Sequence, residues 1–180
     1  MAEEQKQSGI VGKIVKLIVI VVLIGVIFHF ARKAVSNRAA FGDLKAAQAL
    51  IDEQKYDAAI AALDKPAYLN GHYGNVVRGD LGRCWEGKGV GAMEKKDHKT
   101  AVENLRKALK YYKQTTESKP DQVRVLGMIL DMQYEDKDRN AIIATADEIL
   151  KLEPGNGKAK NYKTAAEKRL GPLAPAKRSQ

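Results

Sequence analysis

The pattern of hydrophobic and polar positions changes once along the chain. Residues 17–28 (LIVIVVLIGVIF) run without a polar side chain, whereas from Phe41 onward apolar residues recur every three or four positions. Ile10, Val11, Ile14 and Val15 extend the run on one side, Phe30 and Ala31 on the other; Lys13, Lys16, Arg32 and Lys33 close it off. From residue 17 to 31 a helix measures about 22 Å, against roughly 30 Å of hydrocarbon core. Counted from Ile14, with Lys13 and Lys16 snorkelling to the headgroups, 18 residues are enough to cross. The pattern therefore predicts a transmembrane helix within residues 10–35. Ala34-Val35-Ser36 has the small-x-small form of a signal cleavage site, but positive charge directly behind the apolar run favours retention. A soluble core helix rarely tolerates an apolar run on every face.

Beyond it the period is helical. Leu44, Ala47, Leu50 and Ile51 share one face, as do Ala59, Ala62 and Leu63, with Pro66 ending that second helix. Residues 68–75 (YLNGHYGN) read as a loop and 76–94 as a helix weakened by glycines. Asp97 is a predicted N-cap for the next, with Ala101, Leu105, Ala108 and Tyr112 on one face. Residues 123–132 and 141–152 give two more helices, Pro154 stops the second, and Ala159, Tyr162, Ala166 and Leu170 mark a last one. Outside the apolar run no stretch offers β-branched alternation, so the expected fold is all-α.

The helices come in pairs. Counted from Gly82, Trp85 is fourth, Gly89 eighth, Ala101 twentieth, Leu105 twenty-fourth and Ala108 twenty-seventh. This spacing resembles the tetratricopeptide repeat, in which small residues at the eighth and twentieth places let two helices approach and large ones beside them fill the space. Lys88, Ala92 and Lys113 depart from the pattern at the seventh, eleventh and thirty-second places. Counted from Val123, Ala146, Ile149, Leu150, Leu152, Pro154 and Asn156 fit the second half; Leu130 and Ile142 are large for the close-contact places. Counted from Ala40, Ala47, Leu50, Tyr56, Ala59 and Leu63 fit a shortened first pair. Repeat starts lie 41–42 residues apart where the family has about 34. Behind the transmembrane helix read from the apolar run (10–35, after a polar head at 1–9), the resemblance implies a short α-solenoid over 36–170. That solenoid would hold two to three hairpins plus a capping helix at 158–170, with a flexible basic tail at 171–180. It also implies a groove lined by the first helix of each pair, carried onto Arg83, Glu86, Val90, Met93 and Glu94 in the middle repeat. In the third repeat the corresponding residues are Arg124, Asp131, Tyr134 and Glu135.

Charge sharpens the picture. Residues 1–38 carry six Lys/Arg against two Glu, 39–156 carry 18 against 19 acidic residues, and 157–180 carry seven against Glu167 alone. The formal +9 is thus a near-neutral body between two basic ends, which suits lipid headgroups or an acidic partner rather than nucleic acid. One cysteine, Cys84, excludes an internal disulfide.

Candidate chemistry is sparse. Residues 82–88 (GRCWEGK) fit the opening of a P-loop, but Gly89 stands where a magnesium-binding hydroxyl is needed and no strand precedes it. His29, His72 and His98 are unclustered; His29 is expected at headgroup depth and His98 half-buried. Asp131, Glu135, Asp136 and Asp138 lack the spacing of a calcium loop. We therefore expect no enzyme, no cofactor and no metal. The expected role is a scaffold that binds a protein or peptide partner at the lipid bilayer; an accessory subunit held in a larger membrane complex by its transmembrane helix is the alternative. The expected setting is the cell's inner membrane as a single-pass protein. Lys6, Lys13 and Lys16 balance Arg32, Lys33 and Arg38, so orientation rests on the usual outcome for an N-terminal anchor, with the head cytoplasmic and the hairpins outside.

Overall fold

A computed structural model describes residues 2–116 and 118–169, with side chains described over 19–32, 41–116 and 118–168. Two units divide the chain, Met1–Gly42 and Asp43–Gln180. All regular structure among the described residues is helical, as the periodicity predicts.

The described residues of the first unit lie within α1 (Ala2–Asp52). Its apolar residues from Val19 to Phe30 are 46–69% exposed. The expectation of a transmembrane helix is corrected here: among the described residues no helix is long and apolar enough to cross a membrane. The described side chains 19–32 make about 21 Å of helix, short of roughly 30 Å, and the extension from Ile14 to Ile18 lies outside the described side chains.

The second unit begins with the end of α1 and continues through α2 (Tyr56–Leu63), α3 (Pro66–Leu69), α4 (Gly74–Glu94) and α5 (His98–Tyr112). It closes with α6 (Lys119–Glu135), α7 (Arg139–Leu152) and α8 (Gly157–Arg169). Helix pairs α4–α5 and α6–α7 are hairpins, and α8 packs on α7 and touches α6. The turns into α2, α5 and α7 share one geometry. Gln54, Lys96 and Lys137 are each left-handed, with φ of 59°, 57° and 59°. The following N–H (Lys55, Asp97 or Asp138) reaches back five residues to the carbonyl of Leu50, Ala92 or Gln133. This satisfies carbonyls that the helix end would otherwise leave unpaired. The turns recur at intervals of 42 and 41 residues, matching the spacing read from the side-chain pattern.

Helix starts follow from capping. The carboxylates of Asp97 and Asp138 accept from the N–H groups of Thr100 and Ala141, and the Asn156 amide oxygen accepts from that of Ala159. Helix α2 has no such cap, since Lys55 stands in the same place. Pro66 opens α3 rather than merely ending α2, because its missing N–H is tolerated at a first turn.

The larger core runs from Ala92 and Leu105 through Leu126, Ile129 and Leu130 to Ile149 and Ala166. Two smaller clusters lie under the end of α1, where Leu44 and Ala47 meet Leu63, Val77 and Leu81, and Ile51 meets Ala59 and Cys84. Close approach of α4 to α5 depends on glycine. A Cβ on Gly89 would lie 2.7 Å from Leu105 Cγ and 3.4 Å from the Ala101 carbonyl oxygen. Leu130 and Ile142, too large for such an approach, are instead both buried between α6 and α7.

Candidate partner-binding groove

Helix α4 carries Val76, Gly79, Asp80, Arg83, Glu86, Gly87, Val90, Gly91 and Glu94 on one face, because steps of three and four residues return to the same side of a helix. That face lines a groove of about 840 Å³. Ile51 and Asp52 from the end of α1, Gln54 from the turn, Tyr56 from α2, Tyr112 from α5, and Asp121 and Arg124 from α6 complete the wall. Val76 and Val90 are 46% and 37% exposed, apolar surface set between charged groups.

Two carboxylates sit in the floor. Glu86 is only 8% exposed; it accepts from the Tyr112 hydroxyl at 2.8 Å and pairs with Arg124. Arg124 also reaches Asp121 at 2.6 Å. Asp80, 5% exposed, accepts from Gln48 at 3.1 Å and from Arg83 at 3.5 Å. Each buried charge therefore has a cation and a neutral donor, the condition for tolerating it away from water. Burial, reinforced by the charge of Asp121, raises the Tyr112 hydroxyl above its ordinary value, so it remains a protonated donor to Glu86. Burial with the Asp80 charge pushes the Cys84 thiol up to about 11, leaving it a neutral packing group.

Of the residues expected in the groove, Arg83, Glu86, Val90, Glu94 and Arg124 converge in it. The others lie elsewhere. Met93 packs on the larger core. Asp131 accepts from Lys158 at 2.7 Å and from the Tyr162 hydroxyl at 3.1 Å, while Tyr134 stacks on the Tyr162 ring, so both are engaged by α8. Glu135 lies 3.4 Å from His98 Nε2. Asp52, Tyr56, Val76 and Asp121 belong to the groove but were missed; the stripe through Val76 could have found one of them.

The glycines of the P-loop-like stretch have packing roles. A side chain at Gly82 would strike the Tyr112 ring, one at Gly87 the Tyr56 ring, and one at Gly89 Leu105. No group of three or more His, Cys, Asp or Glu side chains among the described residues is placed to hold a metal ion. No protein-family model and no curated protein matches the chain.

Proposed function

We propose that the unit from Asp43 onward is a tetratricopeptide-like scaffold that holds a segment of a partner protein in the groove along α4, and that it works by binding rather than catalysis. One observation carries this reading: Val76 and Val90 stay exposed on a helix face where Asp80, Arg83 and Glu86 are already positioned by internal pairs. An open surface of fixed polar groups around apolar contacts suits a peptide, whose affinity comes from apolar anchors and whose register comes from polar ones. Replacing Val76 and Val90 together by Glu is the direct test. We expect loss of a cross-linked partner from affinity-purified full-length protein with the far-ultraviolet circular dichroism unchanged. Retention of the partner at wild-type yield would refute the groove.

A second reading, an accessory subunit of a larger assembly, is favoured by the exposed apolar surface over residues 19–30. A contiguous surface of this kind marks a place where a chain meets apolar surroundings. It predicts that serine at Ile20, Ile24 and Ile27 releases the partner while the Val76/Val90 variant retains it.

A further inference from the structure

The groove has a charge of its own. Residues 39–156 are close to neutral, with 18 basic and 19 acidic side chains. The groove wall nevertheless carries five carboxylates (Asp52, Asp80, Glu86, Glu94 and Asp121) against two guanidiniums, Arg83 and Arg124, a formal charge of −3. Asp80 and Glu86 are consumed by internal pairs and Asp121 shares Arg124. Asp52 and Glu94 are exposed, and neither forms an ion pair with another described residue.

Their position makes this costly for the fold alone. Asp52 and Glu94 are the last residues of α1 and α4, where a helix presents roughly half a negative charge from its unpaired carbonyls and a carboxylate is disfavoured. Glu135 ends α6 in the same way, 41 residues after Glu94. There the chain supplies its own remedy. His98 sits between Glu135 and Asp136, with Nε2 3.4 Å from the one and Nδ1 2.7 Å from the other. The residue 42 places before His98 is Tyr56, which lines the groove with Glu94 and brings no charge. Glu94 thus has no imidazole of the kind that faces Glu135.

We propose that the occupant of the groove is a basic, partly apolar segment of a partner protein, with a lysine or arginine at the Asp52–Glu94 end and apolar side chains on Val90 and Val76. This rests on the groove reading above. The spacing sets a pattern. Val90 lies four residues before Glu94, about 6 Å along α4, and Val76 a further 21 Å or so. At roughly 3.3 Å per residue of extended chain, the first apolar anchor falls about two residues from the cation and the second about six beyond that.

A phage-displayed dodecamer library selected on the immobilised full-length protein tests this, with the V76E/V90E protein as the groove control. We expect groove-dependent clones to carry Lys or Arg about two residues from Leu, Ile or Val. A synthetic clone peptide should bind D52N/E94Q about five- to tenfold more weakly by fluorescence anisotropy, and E103Q, on the exposed side of α5, unchanged. Acidic or uncharged groove-dependent clones, or equal affinity for D52N/E94Q, would overturn the basic preference and leave the groove standing. If no clone distinguishes wild type from V76E/V90E, groove and preference both fail. A gain in peptide affinity for K177Q/R178Q would assign the site to this chain's own basic end and overturn the partner.

Discussion

Glycine content in α4 has two different causes, and a single added methyl separates them. Gly89 is where α4 meets α5: its Cβ would fall 2.7 and 2.8 Å from Leu105 Cγ and Cδ2, and Leu105 is fully buried, so it has nowhere to retreat. Overpacking of this kind costs about 1–3 kcal/mol, more than the roughly 1 kcal/mol that alanine gains over glycine in a helix. Gly91, two residues on, meets nothing within 4 Å. Chemical denaturation should therefore show Gly89→Ala destabilised and Gly91→Ala stabilised by up to about 1 kcal/mol. Equal and positive shifts at both sites would mean that α4 and α5 do not approach at Gly89. The residue that breaks the phosphate-loop pattern, standing where a hydroxyl is needed, is on this account there for the absence of a side chain.

Between elements, the contact most sensitive to solution conditions is His98. It opens α5 and meets the end of α6, so it ties the second hairpin to the third. Its hydrogen bond to Asp136 raises the imidazole above its ordinary value near 6.5; the charges of Asp136, Glu135 and Asp97 act in the same direction and partial burial opposes them. A raised folded-state value means the contribution is complete below the unfolded value and fades as pH rises through the folded one. The stability gap between wild type and His98→Gln should be widest near about pH 5.5 and close by about pH 9. A pH-independent gap would leave His98 a packing residue only. The turn into α5 was readable from sequence because Asp97 is a strong capping signal; the matching cap at Asp138 was not singled out. Helix α3 was not readable, since a proline can equally stop one helix or start another. The groove was half readable for a related reason. Arg83, Glu86, Val90 and Glu94, which the repeat resemblance implies, all lie on one element, whereas Asp52, Tyr56 and Asp121 are brought in by packing between distant segments. Asp131 and Tyr134 obey the same local period, yet a helix more than twenty residues later claims them.

At the scale of the unit from Asp43 onward, each helix from α4 to α8 packs mainly on those next to it in the chain, and α8 packs on α7 as α6 packs on α5. Its outward residues Lys160, Asn161, Thr164 and Lys168 are exposed and polar, while Ala159 and Ala166 are buried against the third hairpin. A helix of this composition covers the third pair while presenting a polar outer face. Stability in such an arrangement is local: loosening one end should open the nearest pair first. Tyr162 is the residue to loosen. Its ring stacks 4.5 Å from that of Tyr134 and its hydroxyl donates to Asp131, so truncation removes two contacts between α8 and α6 and leaves the Lys158–Asp131 pair. We expect Tyr162→Ala to cost about 1–3 kcal/mol, the site being only partly buried. In hydrogen exchange the loss of protection should be confined to α6, α7 and α8, with α4 and α5 close to wild type. Uniform loss from α4 to α8 would show instead that the continuous cluster from Ala92 to Ala166 makes these helices a single cooperative block. In that case the groove along α4 would be as rigid as the core beneath it, and binding there would not depend on how well the far end of the array is capped.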